Sequence, residues 1–352
     1  MASLLVSLGA SGACAAEPDP APAPATGLTR LSVSSWAPPG HLLHESIVQW
    51  CAALATRRPL TVVCDLLERP VAPIQDTLSA VARNAVDIAI VAHGVHPDRH
   101  VLPRLAELPM AGASAQAVSI ALETTRMASL RQVDEYPGAH VLAVFTQLPE
   151  QLYTARGPIR TLDDLAGLTL RSGGGVGSQV VAALSALGVK DRSLPMIAIA
   201  NEVADHLLDG ALLAADNADR IAVARSFGHV WIVPGGLSRQ SFALVINAQA
   251  WQRLSGAQRQ VLESVGGSNA ARLFGRAADE LDASLQRRMA AAGLNPSVAG
   301  ADVVRDLRER LAPVAAAWID EAGRRGLPQA ARVLRDYRER VRSIQQAIDR
   351  RS

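Results

Sequence analysis

From Leu28 onward the spacing of apolar and polar positions changes period several times, and each change marks an element. Leu31-Ser32-Val33-Ser34-Ser35 alternates with the period of a half-buried strand and stops at the turn Pro38-Pro39-Gly40. Ile47, Trp50, Cys51 and Leu54 then recur at helical spacing and make one apolar stripe. Leu60 to Leu66, rich in β-branched residues, reads as a strand, Ile74 to Asn84 as a helix, and Asp87 to Ala92 as a short buried strand. Strands alternating with helices in this way predict a parallel α/β sheet.

The alternation continues with a helix from Ser114, its N-cap, to Glu135 and a strand from His140 to Phe145. A second α/β unit opens with a helical turn over Thr161 to Ala166. It continues with the strand Leu168 to Arg171, a glycine run, and a helix from Ser178 to Leu187. Gln240 to Asn247 returns as a strand. Ser255, with Gln258 three residues on, has the signature of a capping box, and the chain beyond it is almost wholly helical. The Arg-rich stretch Arg332 to Arg351 has acids interleaved and reads as the solvated face of a helix. No internal repeat is visible.

Composition narrows the picture. A chain of 352 residues is too long for one compact core and suits two lobes. The net charge of +2 comes from acids and bases interspersed throughout, which excludes the clustered basic face of a nucleic-acid binder. The first residues differ from the rest. The apolar run Leu4 to Leu8, then Ala13-Cys14-Ala15-Ala16 and a Pro/Ala spacer, resemble an export signal with a cleavage site near Ala15, although no Lys or Arg precedes the run. Cys14 could serve as a lipoprotein cysteine, but Ser11 stands where a large aliphatic residue is expected. No later stretch approaches the roughly 20 apolar residues of a membrane span, so the mature chain is expected outside the bilayer. An exported protein could join Cys51 and Cys64 in a disulfide; a pair of buried free thiols is the expectation.

The most informative chemistry is Arg171-Ser172-Gly173-Gly174-Gly175-Val176-Gly177, between a strand and a helix. Glycines there let backbone approach a ligand and leave amides free at a helix N-terminus, which suits an anion. The spacing fits a dinucleotide fingerprint poorly, and no Gly-Lys-Ser/Thr follows to make a phosphate loop. What distinguishes the run from a plain turn is Arg171, a planar fork at the end of a strand where open α/β sheets bind ligands and where a carboxylate pairs bidentately. His93, His96 and His100 suggest a metal site, but Pro97 breaks the helix that would align them; a turn with solvated histidines is expected, and neither metal nor cofactor. No G-x-S-x-G elbow or H-E-x-x-H helix occurs.

Several segments, in order, resemble the solute-binding proteins of tripartite ATP-independent periplasmic (TRAP) transporters, from about Leu31 to Pro328. Ser34-Ser35-Trp36-Ala37-Pro38-Pro39-Gly40-His41 is similar to that family's opening strand and turn. Asp87-Ile88, Pro97-Asp98-Arg99 and Glu107-Leu108-Pro109 resemble the close of its first unit, and Gln151-Leu152-Tyr153-Thr154 its first crossover. Ile159 to Arg171 fits the pattern P-I-x-T-x-x-D-L-x-G-L-x-x-R almost position by position. Asp209-Gly210 and Ser241 to Asn247, followed by Trp251 and Leu254, complete the series.

The resemblance implies a two-lobed periplasmic-binding-protein fold: two α/β sandwich lobes, hinge strands, a long spanning helix and a mostly helical C-terminal region. Residues 1–27 would be signal and spacer, 28–148 with 238–280 the first lobe, 149–237 with 281–328 the second, and 329–352 a C-terminal helix. It further implies a non-enzymatic, periplasmic subunit that closes on a small organic acid and delivers it to TRAP membrane permease subunits. The same clamp could instead present its closed form to a receptor, and an enzyme on this fold would need an acid/base pair that the sequence does not display. Arg171 matches the family arginine that grips the ligand carboxylate. Gln151 falls at a second polar contact, and Trp36 and Phe242 at pocket-lining positions. Ala214-Ala215-Asp216 departs from the family's Trp and acid, and the aromatic expected near Val95 is absent. That leaves room for a larger ligand, with Asp216 and His93 at its hydroxyl or amino groups.

Overall fold

The computed structural model describes residues 27–220 and 226–350; the export signal with Cys14 lies outside them. In chain order, the first half contains β1 (Thr29–Ser34), α1 (Leu42–Ala55), β2 (Val62–Leu66), α2 (Thr77–Ala82), β3 (Ile88–Ala92), α3 (Ala115–Thr125) and β4 (Ala139–Thr154). Then follow β5 (Thr169–Arg171), α4 (Gly175–Ala183), β6 (Lys190–Asp191), α5 (Ile199–Ala204), β7 (Gly210–Ala214), α6 (Ala215–Arg220), β8 (His229–Ile232) and β9 (Ser238–Asn247). The remainder is α7 (Ala248–Arg253), α8 (Gly256–Val265), α9 (Gly267–Ala291), β10 (Asn295–Val298), α10 (Ala301–Arg310), α11 (Ala312–Arg324) and α12 (Ala330–Asp349).

The strands run in the order β2-β1-β3-β9-β4-β7-β5-β6, with β8 pairing β4 and β10. β1 lies parallel to β2 and β3, and β5 parallel to β6 and β7, as the alternating pattern predicts. β9 and β4 are the exceptions. β9 runs antiparallel to β3 and β4, and β4 runs on to pair antiparallel with β7. β4 therefore belongs to both halves of the sheet. Its Glu150 pairs with Ser238 of β9 and with Ala214 of β7, at the place where the partner changes.

The expected strand His140–Phe145 is thus much longer. Thr146, Gln147 and Pro149 interrupt the apolar pattern, but a register shift between Thr146 and Pro149 absorbs the proline's missing N–H. The expected helix to Glu135 is shorter: α3 stops at Thr125 and one π-helical turn, Arg126–Leu130, follows. Past that turn Asp134 accepts from the Tyr136 amide at 2.9 Å. Glu135 turns inward to accept from the Val101 and Leu102 amides, so local side-chain bonds displace the helical ladder. The Ser114 cap and the Ser255–Gln258 capping box form as read. α9 is 25 residues, about 37 Å at 1.5 Å per residue. Its Phe274 packs with Phe145 in one apolar cluster, and its Leu285 and Met289 pack with Leu213 in another, so one helix backs both halves.

Cys51 and Cys64 form a disulfide joining α1 to β2, where buried thiols were expected. α1 and β2 lie side by side, and helical and strand spacing each turn one sulfur into the gap, which sequence separation alone does not show. Among the described residues no helix is long and apolar enough to cross a membrane. The exposed face of α12 carries Arg332, Arg335, Arg338 and Arg342, while Val333, Leu334, Tyr337 and Val341 are buried.

Candidate functional site

β5 is three residues long and ends on Arg171, at the C-terminal edge of the strand. The strand is pinned at its start by Asp209, whose Oδ2 accepts from the Thr169 amide at 2.7 Å while Oδ1 lies 2.6 Å from Arg156 Nε. Arg171 is half-buried. Its Nε donates to the Leu194 carbonyl at 3.3 Å, and among the described residues neither Nη makes a hydrogen bond and no carboxylate lies within ion-pair distance. Burial lowers its pKa, and the charges of Glu150 and Asp191 act against that. Ser172 Oγ then donates to Asp191 at 3.0 Å and accepts from Ser178 Oγ at 2.7 Å, fixing the loop. Gly174 and Gly175 have φ of 85° and 56°, a left-handed backbone that only glycine adopts at low cost, and α4 starts from them.

Against this loop lies Glu150, 6% exposed. Ser238 Oγ donates to its Oε2. Burial raises the Glu150 pKa and repulsion from Glu107 adds to the rise; the Ser238 bond, the Arg171 charge and Gln240 oppose it. A Cβ on Gly173 would sit 3.6 Å from Glu150 Oε1 and 3.7 Å from Arg171 Nη1, so these two atoms face the same small space.

A buried polar chain leads into the site from the other half of the sheet. Ser241 Oγ donates to Glu107 Oε1 at 2.8 Å, and the Ser241 amide reaches the same oxygen at 3.1 Å. His93 Nδ1, 2.8 Å from that hydroxyl, must then donate to it, which leaves Nε2 to accept from Tyr136 OH at 2.7 Å. Burial, His100 and Arg104 hold the His93 pKa well below its usual value, in keeping with this neutral tautomer. Arg104 Nε closes the chain on Glu107 Oε2 at 2.8 Å. Its Nη2 would lie 3.4 Å from a Cβ on Gly175, so Arg104 faces the glycine loop. Burial raises the Glu107 pKa against the pull of Arg104 and Ser241.

The six residues singled out from sequence do not all meet. Trp36 donates from Nε1 to the Ile90 carbonyl at 3.0 Å and stacks on Phe242, with centroids 6.4 Å apart; Phe242 in turn stacks on Phe145. His93 spends both ring nitrogens on Tyr136 and Ser241. Gln151 spends its amide on the backbone of Val233, accepting at 2.9 Å and donating at 3.2 Å. Asp216, buried at the start of α6, accepts from the Asn217 amide at 2.8 Å and acts electrostatically on Tyr153 and Asp282. The histidines depart from a solvated turn. His93 and His100 are fully buried, with rings 5.2 Å apart, and only His96 reaches outward, its Nε2 2.7 Å from the Gln75 carbonyl. Sequence reasoning passed over Glu107, Glu150, Arg104 and Ser238. The available signal was an acid inside the otherwise apolar segment Leu105–Leu108 and another at the interruption of β4.

Comparison with known proteins agrees with this architecture. The family model described as bacterial extracellular solute-binding protein, family 7 (DctP), matches residues 33–321. The outer membrane transporter protein TsaT of Comamonas testosteroni is 26% identical over 304 residues, covering 85% of this chain and 88% of that protein. A TRAP periplasmic solute-binding protein of Bordetella bronchiseptica, solved with (R)- and (S)-mandelate bound, is 27% identical with a TM-score of 0.79. That match covers 90% of this chain and 99% of the other. A TRAP periplasmic solute-binding protein of Desulfovibrio salexigens, in an open complex, is 23% identical with a TM-score of 0.78, covering 89% and 95%. The fold is the two-lobed α/β architecture of these proteins.

Proposed function

Because the chain belongs to family 7 of the bacterial extracellular solute-binding proteins, the periplasmic binding proteins of TRAP transporters, we propose that it captures a small carboxylate-containing solute and hands it to membrane permease subunits for ion-gradient-driven uptake. The family and the structural neighbours are transport binding proteins, not enzymes. The observation that carries the proposal is the Arg171 fork: half-buried, held through Nε only, with both Nη groups free of hydrogen bonds among the described residues. A guanidinium so placed takes a carboxylate through two parallel charge-assisted bonds. The Cys51–Cys64 disulfide supports an oxidising compartment. Mandelate bound to the Bordetella bronchiseptica relative supports a small organic acid.

In this reading Arg171 is the anchor, and Trp36 and Phe242 form the apolar wall of the first lobe. His93 and Gln151 hold the cleft's shape through Ser241 and Val233, and Asp216 sets the field at its far side. The lobes are 28–148 with 238–280 and 149–237 with 281–328, hinged on β4 and β9. Closure follows when a ligand contacts both lobes, since only differential affinity shifts an open–closed balance. Mass spectrometry of small molecules released from the purified protein, followed by calorimetry with the acid identified, tests the proposal. Recovery of an acid that binds wild type and fails to bind Arg171→Ala is expected. A released compound with no acidic group, bound equally well by Arg171→Ala, would overturn it.

A further inference from the structure

Arg171 Nη1 and Glu150 Oε1 lie 3.7 and 3.6 Å from the point where a Gly173 Cβ would be, so they are no further apart than the sum of those distances. One is a carboxyl and the other a guanidinium, yet no ion pair joins them among the described residues. Glu150 is fixed from behind by Ser238 on its other oxygen. Unlike Gly174 and Gly175, Gly173 has no left-handed φ, so its missing side chain serves the space between the two groups and not the backbone.

Resting on the Arg171 reading above, we propose that Glu150 is a specificity-determining residue of the same site. It selects acids that carry a hydrogen-bond donor, hydroxyl or ammonium, on the carbon next to the carboxylate. A carboxylate seated on Arg171 is brought against the Glu150 carboxyl, and two anions at that range repel unless a donor lies between them. A 2-hydroxy or 2-amino group supplies that donor within the available span, whereas a hydroxyl across a benzene ring is too far from the carboxylate. An acid with no donor leaves a buried Glu150 oxygen facing a like charge, which selects against it. Glu107, whose charge is felt at Glu150, strengthens the negative potential that the donor meets.

The test is calorimetric titration with three matched sets: acetate, glycolate and glycine; propionate, lactate and alanine; phenylacetate, mandelate and phenylglycine. In the set that binds most tightly, a donor-bearing member is expected to exceed the plain acid by at least about tenfold, or ~1.4 kcal/mol. Glu150→Gln keeps the volume and an acceptor for Ser238, and should shrink that preference to about threefold or less. Gly173→Leu fills the space while leaving both the Arg171 and Glu150 side chains in place, and should weaken every member at least about tenfold, with the ligand-free melting temperature held. Equal binding of plain and donor-bearing acids by wild type, or an undiminished preference in Glu150→Gln, would overturn the role of Glu150. Failure of every acid in the three sets to bind would overturn the preference for small 2-hydroxy and 2-amino acids, whereas carboxylate capture itself fails if Arg171→Ala binds as wild type does.

Discussion

Glu107 Oε1 receives two hydrogen bonds from one residue, Ser241, through the hydroxyl at 2.8 Å and the amide at 3.1 Å. This doubled contact ties the segment before Leu108 to the N-terminal half of β9. It also sets the direction of every proton from Tyr136 through His93. Because Arg104 and Glu107 are both nearly buried, Glu107→Ala strands a guanidinium, and a loss of ~3–5 kcal/mol is expected. Ser241→Ala, which removes only the hydroxyl, should cost ~1–3 kcal/mol. Urea melts of the two variants check this; equal, negligible losses would mean that the chain is not a stabilising unit.

Arg171→Ala should weaken binding of the physiological acid by about 30-fold or more, from ~2–5 kcal/mol for removing one side of a buried charge pair. Arg171→Lys should lie between the two, since an ammonium offers no planar fork. Isothermal calorimetry reads both. Thermal melts of the ligand-free variants should stay close to wild type, because among the described residues the Arg171 side chain makes a single hydrogen bond, through Nε.

His100 predicts acid sensitivity. Burial, with help from Arg99, His96 and Arg104, lowers its pKa from 6.5 to about 3. Between those values the unfolded chain binds a proton that the folded chain refuses, so this contribution to stability is complete above pH 6.5 and drains away as pH falls toward 3. Glu135 works in the opposite sense: burial raises its pKa from 4.5 to about 7, so its contribution is lost as pH rises through that range. The difference between wild type and His100→Leu isolates the histidine. Among the described residues neither ring nitrogen has a hydrogen-bond partner, so the variant should be at least as stable at pH 7. It should gain on wild type by up to ~1.4 kcal/mol per pH unit below 6.5. Parallel stability profiles of the two proteins would refute the assignment.

The disulfide closes a short loop, with Cys51 and Cys64 separated by 13 residues. Chain-entropy reasoning puts its contribution near ~3 kcal/mol. Replacing both cysteines by alanine should lower the denaturation midpoint as much as reduction does in wild type, and peptide mapping under non-reducing conditions should recover the linked pair. Two free thiols in protein purified from the periplasm would contradict the structure.

Much of the first lobe is legible locally. β1, α1 and β3 appear near their expected positions because each is amphipathic or uniformly apolar over its own length, and the Ser114 and Ser255 caps act within a few residues. β4 was half missed because Pro149 ends any local strand pattern; only pairing with β9 and β7, distant in sequence, carries it through. Arg171 was legible because an arginine at the end of a strand before glycines is unusual on local grounds. Glu150 was not, since an isolated Glu beside Gln151 resembles any exposed position until the glycine loop closes over it.

By itself the sequence determined the alternating α/β pattern, the helix caps, the glycine run and the guanidinium at its edge. These follow from interactions between residues a few positions apart. Only the tertiary structure decided that β4 belongs to both halves of the sheet, that Cys51 meets Cys64, that His93 is buried in a proton chain and that Glu150 confronts Arg171 across Gly173. Those relationships depend on segments that meet after the chain has folded, and on burial that turns an ordinary carboxyl or imidazole into a group whose charge is costly to hold.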